Sequence, residues 1–162
     1  MSNHLLSDLL PESRIIRLVA VDKTRALQEL LDSMTKTNAI KERVAVEKAI
    51  LSREVLMSTG MGYGIAVPHA KLPSVQGFAM ALGLSEKGVA YSSVVDDMPV
   101  RLICMIVGPS GQQEDYLRIL RMVMRFLKSE KGKILSAYSI GEVHGFTKSY
   151  DTLEGRNNAD AV

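Results

Sequence analysis

The sequence contains two continuously apolar segments, and these constrain the fold more than any other feature. They read "FAMALGLS" at 78–85 and "PVRLICMIVG" at 99–108. Continuous apolar runs of this length are typical of strands buried on both faces, whereas a membrane-spanning helix needs about 20 apolar residues. Helical patterns lie before and after both runs. We therefore predict a three-layer α/β/α fold, in which helices flank both faces of a central mixed β-sheet.

The rest of the chain carries further strand and helix signals. The β-branched segment "RIIRLVAV" predicts a first strand at 14–21, and Asp22 is placed to cap the helix that follows it. Apolar periodicity predicts three more helices, at 41–55, 114–128 and 134–138. Residues 1–150 are expected to form one domain. The end, 151–162, is polar and without periodicity, so we expect a flexible tail there.

Composition narrows the class of protein further. The chain has 162 residues, of which 46% are hydrophobic and 23% charged, as is usual for a soluble globular domain. A net charge of +2 is too small to indicate nucleic-acid binding. Cys104 is the only cysteine, so no intrachain disulfide can form, and the beginning of the chain has no signal-peptide pattern. We expect a cytoplasmic protein that does not insert into a membrane.

The segment "STGMGYGIAVPHAK", at 58–71, is the strongest functional signal. Gly60, Gly62 and Gly64 lack a Cβ and tolerate positive φ, so their N–H groups can converge on an anion. With Ser58 and Thr59 they are predicted to form a phosphate-cradling loop. The spacing is GxGxG and the loop precedes a strand, which excludes the dinucleotide fingerprint. The Gly-Lys-Ser/Thr ending of an NTPase loop is also missing.

A single histidine, His69, ends this segment and directly follows Pro68. Proline fixes its own φ and restricts the residue before it, so the approach to the imidazole is rigid. A partly uncharged imidazole is a nucleophile near neutral pH, and nearby N–H donors or a cation stabilise a transferring phosphoryl group. A histidine that only hydrogen-bonds its neighbours is the alternative. The glycines and the proline favour the functional interpretation.

The longer stretch 50–72 resembles the active-site segment of the fructose/mannitol-type enzyme IIA domains of the bacterial phosphoenolpyruvate-dependent phosphotransferase system. The similarity is strongest to the nitrogen-regulatory subgroup and extends over about 5–150. The residues that match the motif of the family are Arg53, Glu54, Ser58, Thr59, Gly60, Gly62, Gly64, Ala66, Pro68 and His69.

This resemblance implies a set of roles. His69 would accept a phosphoryl group from a histidine-containing phosphocarrier protein, on the outward nitrogen Nε2, and the phosphorylated protein would bind regulatory targets such as transporters or sensor kinases. Arg53 would be a fixed cation beside the phosphoryl group. A surface arginine near a helix C-terminus is the alternative reading of Arg53. No cofactor is implied.

The sequence departs from the family at two positions. One is Ala70, where glycine is common after the active histidine, and the other bears directly on the chemistry. Many members carry a second histidine at the start of the helix after the last central strand, and our alignment places Tyr116 there. A tyrosine can donate a hydrogen bond, but with a pKa of about 10 it does not become a cation near pH 7. Two alternatives therefore stand beside a phosphorylated regulator: a binding module that is not phosphorylated, and a sugar-specific IIA transport component.

Two other groups of residues were considered for binding. A basic face on the predicted long helix fits an acidic protein, nucleic acid or a solvated surface, and because no aromatic residues interleave with it, we do not predict nucleic-acid binding. Its members are Arg118, Arg121, Arg125 and Lys128. The three histidines and Cys104 share no metal-ligand spacing, so no metal site is predicted.

Overall fold

A computed structural model describes residues 4–93 and 95–159 of the chain. Within these residues there are five α-helices and six β-strands. The helices are α1 (Leu6–Leu9), α2 (Lys23–Lys36), α3 (Arg43–Leu56), α4 (Gln113–Ser136) and α5 (Ile140–Ala159). The strands are β1 (Ile15–Arg17), β2 (Gly60–Gly62), β3 (Ile65–Ala66), β4 (His69–Leu72), β5 (Ala79–Val89) and β6 (Val100–Pro109).

Strand β6 organises the sheet because it pairs along both of its edges. On one edge it runs antiparallel to β5, which in turn pairs in parallel with β1. On the other edge it pairs in parallel with β3 and then with β4, while β2 pairs antiparallel with β3. The strand order is β1-β5-β6-β3-β2, with β4 beside the second half of β6. The sheet is therefore mixed, as predicted.

The two apolar runs supply side chains to both faces of the sheet in strict alternation. Ile103, Met105 and Val107 of β6 pack towards α2 and α3, where residues such as Leu30 and Ile50 are fully buried. The intervening residues of β6 pack on the opposite face against α1, α4 and α5. Each face is thus covered by helices, which confirms the three-layer α/β/α prediction and explains why both runs are almost entirely apolar.

The first predicted strand is shorter than expected, and the reason lies in a neighbouring helix. Leu18 still donates its N–H to the Leu84 carbonyl, at 2.8 Å. The next two amides, of Val19 and Ala20, donate instead to the Glu29 carboxylate of α2. This carboxylate removes both N–H groups from the sheet, so β1 ends at Arg17. Asp22 caps α2 as predicted, by accepting a hydrogen bond from the Arg25 N–H at 3.0 Å.

The C-terminal third of the chain is more helical than the sequence pattern indicated. The long helix α4 continues to Ser136, so no separate helix forms at 134–138. Residues 151–159, for which a flexible tail is predicted, form the last turns of α5. Asp151 ties these turns to the start of the chain, since its carboxylate accepts the Leu6 and Ser7 N–H groups at 2.7 and 2.9 Å. Residues 160–162 lie outside the described residues.

Replacing Asp151 with alanine tests whether this part of α5 holds the N-terminal helix. The variant loses the acceptor for two backbone donors, so we expect a loss of about 1 kcal/mol in the free energy of unfolding. Hydrogen exchange of the Leu6 and Ser7 amides should accelerate. Asp8→Ala is the control, because Asp8 is an exposed aspartate of α1. It should change neither the free energy of unfolding nor the exchange of these two amides. Unchanged exchange in Asp151→Ala would show that α5 does not anchor α1.

Candidate functional site

His69 lies at a break in the strand that runs along β6. Strand β3 ends at Ala66 and β4 begins at His69, and both pair with β6 on the same edge. Between them, the Val67 N–H turns away from β6 and donates to the Thr59 carbonyl at 3.1 Å, while Pro68 has no N–H to donate. Ile106 of β6 donates to the Pro68 carbonyl at 2.9 Å, which holds the break against the sheet. The histidine therefore starts from a fixed backbone.

A hydrogen bond to the backbone sets the tautomer of His69. Its Nδ1 lies 2.7 Å from the Val67 carbonyl oxygen. Because a carbonyl oxygen can only accept, Nδ1 carries the hydrogen in the neutral ring and Nε2 keeps its lone pair. The nitrogen available for nucleophilic attack is therefore Nε2.

The surroundings of His69 also favour the uncharged ring. Burial lowers the pKa of His69 most, and the positive charges of Arg53 and Lys71 lower it further. The hydrogen bond to Val67 and the negative charge of Glu54 act in the opposite direction but do not compensate. Since the net pKa lies below the ordinary value of about 6.5, the neutral nucleophilic form predominates at pH 7.

An open pocket of about 410 Å³ lies beside the ring, between α3, β4 and the start of α4. The described residues that line it include two cations, Arg53 and Lys71, and no carboxylate. The lining residues are Ala49, Ser52, Arg53, Leu56, His69, Ala70, Lys71 and Tyr116. The structure thus brings together three predicted site residues, His69, Arg53 and Tyr116, in a pocket whose charge suits an anion.

Arg53 lies both at the end of a helix and beside the pocket. It lies in the last turn of α3, where its Nη1 donates to the Met57 carbonyl at 2.8 Å and so stabilises the end of the helix. A guanidinium has five N–H donors, and this bond uses one of them. The same side chain lines the pocket beside His69. The helix end therefore holds the guanidinium in place at the pocket.

Tyr116 lies where the alignment placed it, near the start of α4. The centroids of the Tyr116 and His69 rings are 5.9 Å apart, and the rings are tilted by 59°. The side chain is largely buried, and this burial raises the pKa of Tyr116 to about 12. Its hydroxyl is therefore neutral at every pH at which the protein is expected to work. Tyr116 thus presents a hydroxyl and a ring face to the pocket, but no charge.

The glycines of the motif are not all at the site. Gly62 and Gly64, with φ of 80° and 74°, form the turn between β2 and β3, and Tyr63 between them donates its N–H to Asp96. The Gly64 carbonyl accepts from Arg101 N–H, whereas His69 pairs with Ile106. At about 3.3 Å per residue this offset along β6 is roughly 16 Å. These two glycines therefore do not form the predicted phosphate cradle at His69.

The other residues of the predicted cradle are occupied within their own segment. The Gly60 N–H donates to Ser58 Oγ at 3.1 Å, and the Ser58 hydroxyl donates to the Ser92 carbonyl. A Cβ on Gly60 would lie 2.7 Å from that same carbonyl oxygen. Thr59 is buried and hydrogen-bonds Glu54 through both its N–H and its hydroxyl. Gly60 permits close packing against Ser92 and Ser93, and Gly62 against Val95 and Asp96, which is a structural reason for the glycine pattern.

A buried ionic network under the site was not predicted from the sequence. The Glu54 carboxylate lies 2.7 Å from Lys23 Nζ and accepts from Thr59, whose hydroxyl is 2.9 Å from the Tyr91 hydroxyl. Burial raises the pKa of Glu54, but the hydrogen bonds from Lys23, Thr59 and Tyr91 together outweigh it, and the net pKa is lowered. Glu54 matched the family motif, but the motif alone does not reveal a partner 31 positions away such as Lys23.

This network is connected to the histidine by a short series of hydrogen bonds. Glu54 fixes Thr59, the Thr59 carbonyl accepts from the Val67 N–H, and the Val67 carbonyl accepts from His69 Nδ1. Each bond fixes the backbone that makes the next one. Glu54 therefore positions the imidazole without touching the pocket.

Other candidate residues lie elsewhere. The basic face of α4 borders a groove towards α5, in which Asp151 and Glu154 lie opposite Arg121 and Arg125, so its charge is mixed. Cys104 is buried, and this burial raises the pKa of its thiol to about 12. Among the described residues no His, Cys, Asp and Glu side chains are grouped to hold a metal ion. In the same part of the chain, no helix is long and apolar enough to cross a bilayer.

Comparison with known proteins identifies the class. The family model described as "Phosphoenolpyruvate-dependent sugar phosphotransferase system, EIIA 2" matches residues 8–145. The chain therefore belongs to the EIIA type-2 family of the phosphotransferase system, as its resemblance indicated. The IIA-Ntr protein of Neisseria meningitidis has the same fold, with a TM-score of 0.79 and 25% identity over 88% of this chain and 98% of that one.

Two relatives show the range of proteins in which this domain is found. The nitrogen regulatory protein of Bradyrhizobium diazoefficiens is 32% identical over 77% of this chain and 81% of its own length. The fructose-specific EIIABC component of Bacillus subtilis is 35% identical over 78% of this chain. The chain spans only 20% of that larger protein. Homologues thus include both regulatory and sugar-specific proteins.

Glu54→Gln tests the buried network. The amide keeps the shape but leaves Lys23 without its countercharge, so we expect the free energy of unfolding at pH 7 to fall by roughly 1–3 kcal/mol. Because the folded-state pKa of Glu54 is lowered, this contribution exists above the unfolded-state pKa and disappears as the pH falls, so wild type and variant should converge in acid.

Urea unfolding at pH 7 and near pH 3 measures both effects. Glu47→Gln is the matched control, because Glu47 lies on the same helix in a more exposed ion pair with Arg43, at 4.0 Å. That change should cost well under about 1 kcal/mol. Equal losses in the two variants at pH 7 would show that Glu54 has no special structural role.

Proposed function

We propose that this protein accepts a phosphoryl group on His69 Nε2 from a histidine-containing phosphocarrier protein and binds regulatory target proteins according to its phosphorylation state. The observation that carries the proposal is the hydrogen bond from Nδ1 to the Val67 carbonyl. It leaves the nucleophilic nitrogen on a ring that lines a cationic pocket. Membership of the EIIA type-2 family supports the same chemistry.

The transfer requires little of the protein beyond positioning and charge. The Nε2 lone pair forms a bond to phosphorus as the phosphorus–nitrogen bond of the donor phosphohistidine breaks, and the electron pair returns to the donor imidazole. The hydrogen stays on Nδ1 throughout and remains hydrogen-bonded to the Val67 carbonyl. Arg53 compensates the negative charge of the phosphoryl oxygens, and Tyr116, which lines the same pocket, adds a neutral hydroxyl.

Regulation is supported by the nitrogen regulatory proteins among the relatives whose length this chain mostly covers, although these relatives also include a fructose-specific EIIA component. The nitrogen regulatory protein of Bradyrhizobium diazoefficiens is one of these. A phosphate adds nearly two negative charges to a surface that carries Arg53 and Lys71, so phosphorylation changes this surface from positive to nearly neutral. A sugar-specific role keeps His69 and changes only the recipient; the fructose-specific relative motivates this second candidate.

Phosphorylation by the carrier is the direct test. Wild-type protein incubated with phosphoenolpyruvate, the general enzyme I and the phosphocarrier should gain one phosphoryl group, measured by intact mass at alkaline pH. His69→Ala should gain none, because no other group takes its place. His144→Gln is the control and should behave as wild type, since His144 lies on α5 beside Ser7, away from the pocket. An unmodified wild type would leave the binding module as the better interpretation.

The pH dependence of the transfer follows from the state of the imidazole. The pKa of His69 is lowered by burial and by Arg53 and Lys71, against Val67 and Glu54, and Tyr116 remains neutral. The rate should therefore be constant around pH 7 and fall only below the ordinary histidine pKa of about 6.5. NMR titration of the His69 ring measures the same pKa independently. A midpoint above 6.5 in both measurements would contradict the assigned environment.

A further inference from the structure

We propose that Lys71 is a second phosphate-binding cation of this site, held over the ring of Tyr116 so that its ammonium group shares the phosphoryl oxygens with Arg53. This inference rests on the proposed phosphorylation of His69 for its biological meaning. Its physical content is narrower, namely that Lys71 binds an oxyanion placed at His69 Nε2.

The strand geometry places Lys71 beside the histidine. His69 and Lys71 are two positions apart on β4, so their side chains leave the same face of the strand. The alternate residues, Ala70 and Leu72, are buried in the core beneath α2 and α3. Lys71 is exposed, yet it lines the same pocket as His69 and Arg53.

Two contacts hold the Lys71 side chain towards the pocket. Its Nζ lies 5.0 Å from the centroid of the Tyr116 ring, in the position of a cation–π contact. The same ammonium donates to the Gln113 side-chain oxygen at the start of α4. An ammonium has three N–H donors, so this arrangement orients the group and leaves donors for an anion.

The charge of the bound group requires more than one cation. A phosphoryl group carries about 1.5 to 2 negative charges near pH 7. Arg53 supplies one positive charge, and burial keeps Tyr116 neutral. Lys71 supplies the second, so the occupied pocket comes close to neutrality. The pocket lining has no carboxylate that would oppose this. Gln113 offers Lys71 a neutral oxygen, which leaves its charge available to the phosphoryl group.

The test uses two probes that require no carrier protein. The first is inorganic phosphate, titrated near pH 8 while the NMR signals of the His69 ring are followed. The second is phosphoramidate, a small donor: Nε2 bonds to phosphorus as the phosphorus–nitrogen bond breaks and ammonia leaves with the electron pair. The variants are Lys71→Met, which keeps the length of the side chain without its charge, and Lys71→Arg, which keeps a cation. The control is Lys87→Met, an exposed lysine of β5.

We expect Lys71→Met to weaken phosphate binding and slow phosphoramidate labelling about three- to tenfold, as loss of one partly exposed charge contact predicts. Lys71→Arg should recover most of both, and Lys87→Met should match wild type. The His69 pKa should rise in Lys71→Met but stay at the wild-type value in Lys71→Arg, because the arginine keeps the positive charge. Circular dichroism and thermal unfolding establish that each variant is folded.

The outcomes separate the two proposals. If Lys71→Met binds phosphate and reacts as wild type does, or if wild type binds no phosphate at His69, the role of Lys71 is overturned. If wild type reacts with phosphoramidate in a Lys71-dependent way but is not labelled by the carrier, the role of Lys71 stands and the proposed function fails.

Discussion

The two-sided pairing of β6 is the constraint on which the rest of the structure depends. Its antiparallel partner β5 completes the buried centre of the sheet, and its other edge carries β3 and β4 in succession. The register along this edge of β6 determines which residues lie close together. The residues that pair with 102–103 belong to the β2–β3 hairpin, and those that pair with 106–109 belong to β4, which lines the pocket. Pairing with β6 thus keeps the glycine turn between β2 and β3 apart from the pocket at His69, although both lie within a segment of ten residues.

The site combines one buried negative charge with positive charges in the open pocket. Glu54 is buried with Lys23 and holds the backbone that carries His69, while Arg53 and Lys71 line the open pocket. Because the carboxylate has its own cation, it does not neutralise the pocket. Because Tyr116 is neutral, the side of the pocket formed by α4 adds no charge that varies with pH. The positive charge of the pocket therefore comes from two side chains, Arg53 and Lys71.

The sequence predicted the features that local rules determine. The apolar runs specified β5 and β6, Asp22 specified the start of α2, and Pro68 indicated a rigid approach to His69. It was less successful where the partner is distant. Glycines reveal that a close approach or a positive φ is needed, but not which atoms approach; here Gly60 and Gly62 are approached by atoms of Ser92, Val95 and their neighbours in the described part of the chain. The helical end of the chain depends on Asp151 meeting Leu6 and Ser7, a contact that polar composition does not reveal. That Lys71 lies on the same face of the strand as His69 follows from strand alternation alone.

The break between β3 and β4 explains how one imidazole can change charge without losing its orientation. In a continuous strand the carbonyl of Val67 would be available to the sheet. At the break it accepts a hydrogen bond from His69 Nδ1 instead. Pro68 has no N–H to donate, and Ile106 donates its N–H to the Pro68 carbonyl. Under the proposed function, the hydrogen on Nδ1 and the Val67 carbonyl that accepts it are the same whether Nε2 holds a lone pair or a phosphoryl group. The backbone bond is therefore common to both states, and the difference between them is confined to the pocket, where the cations are.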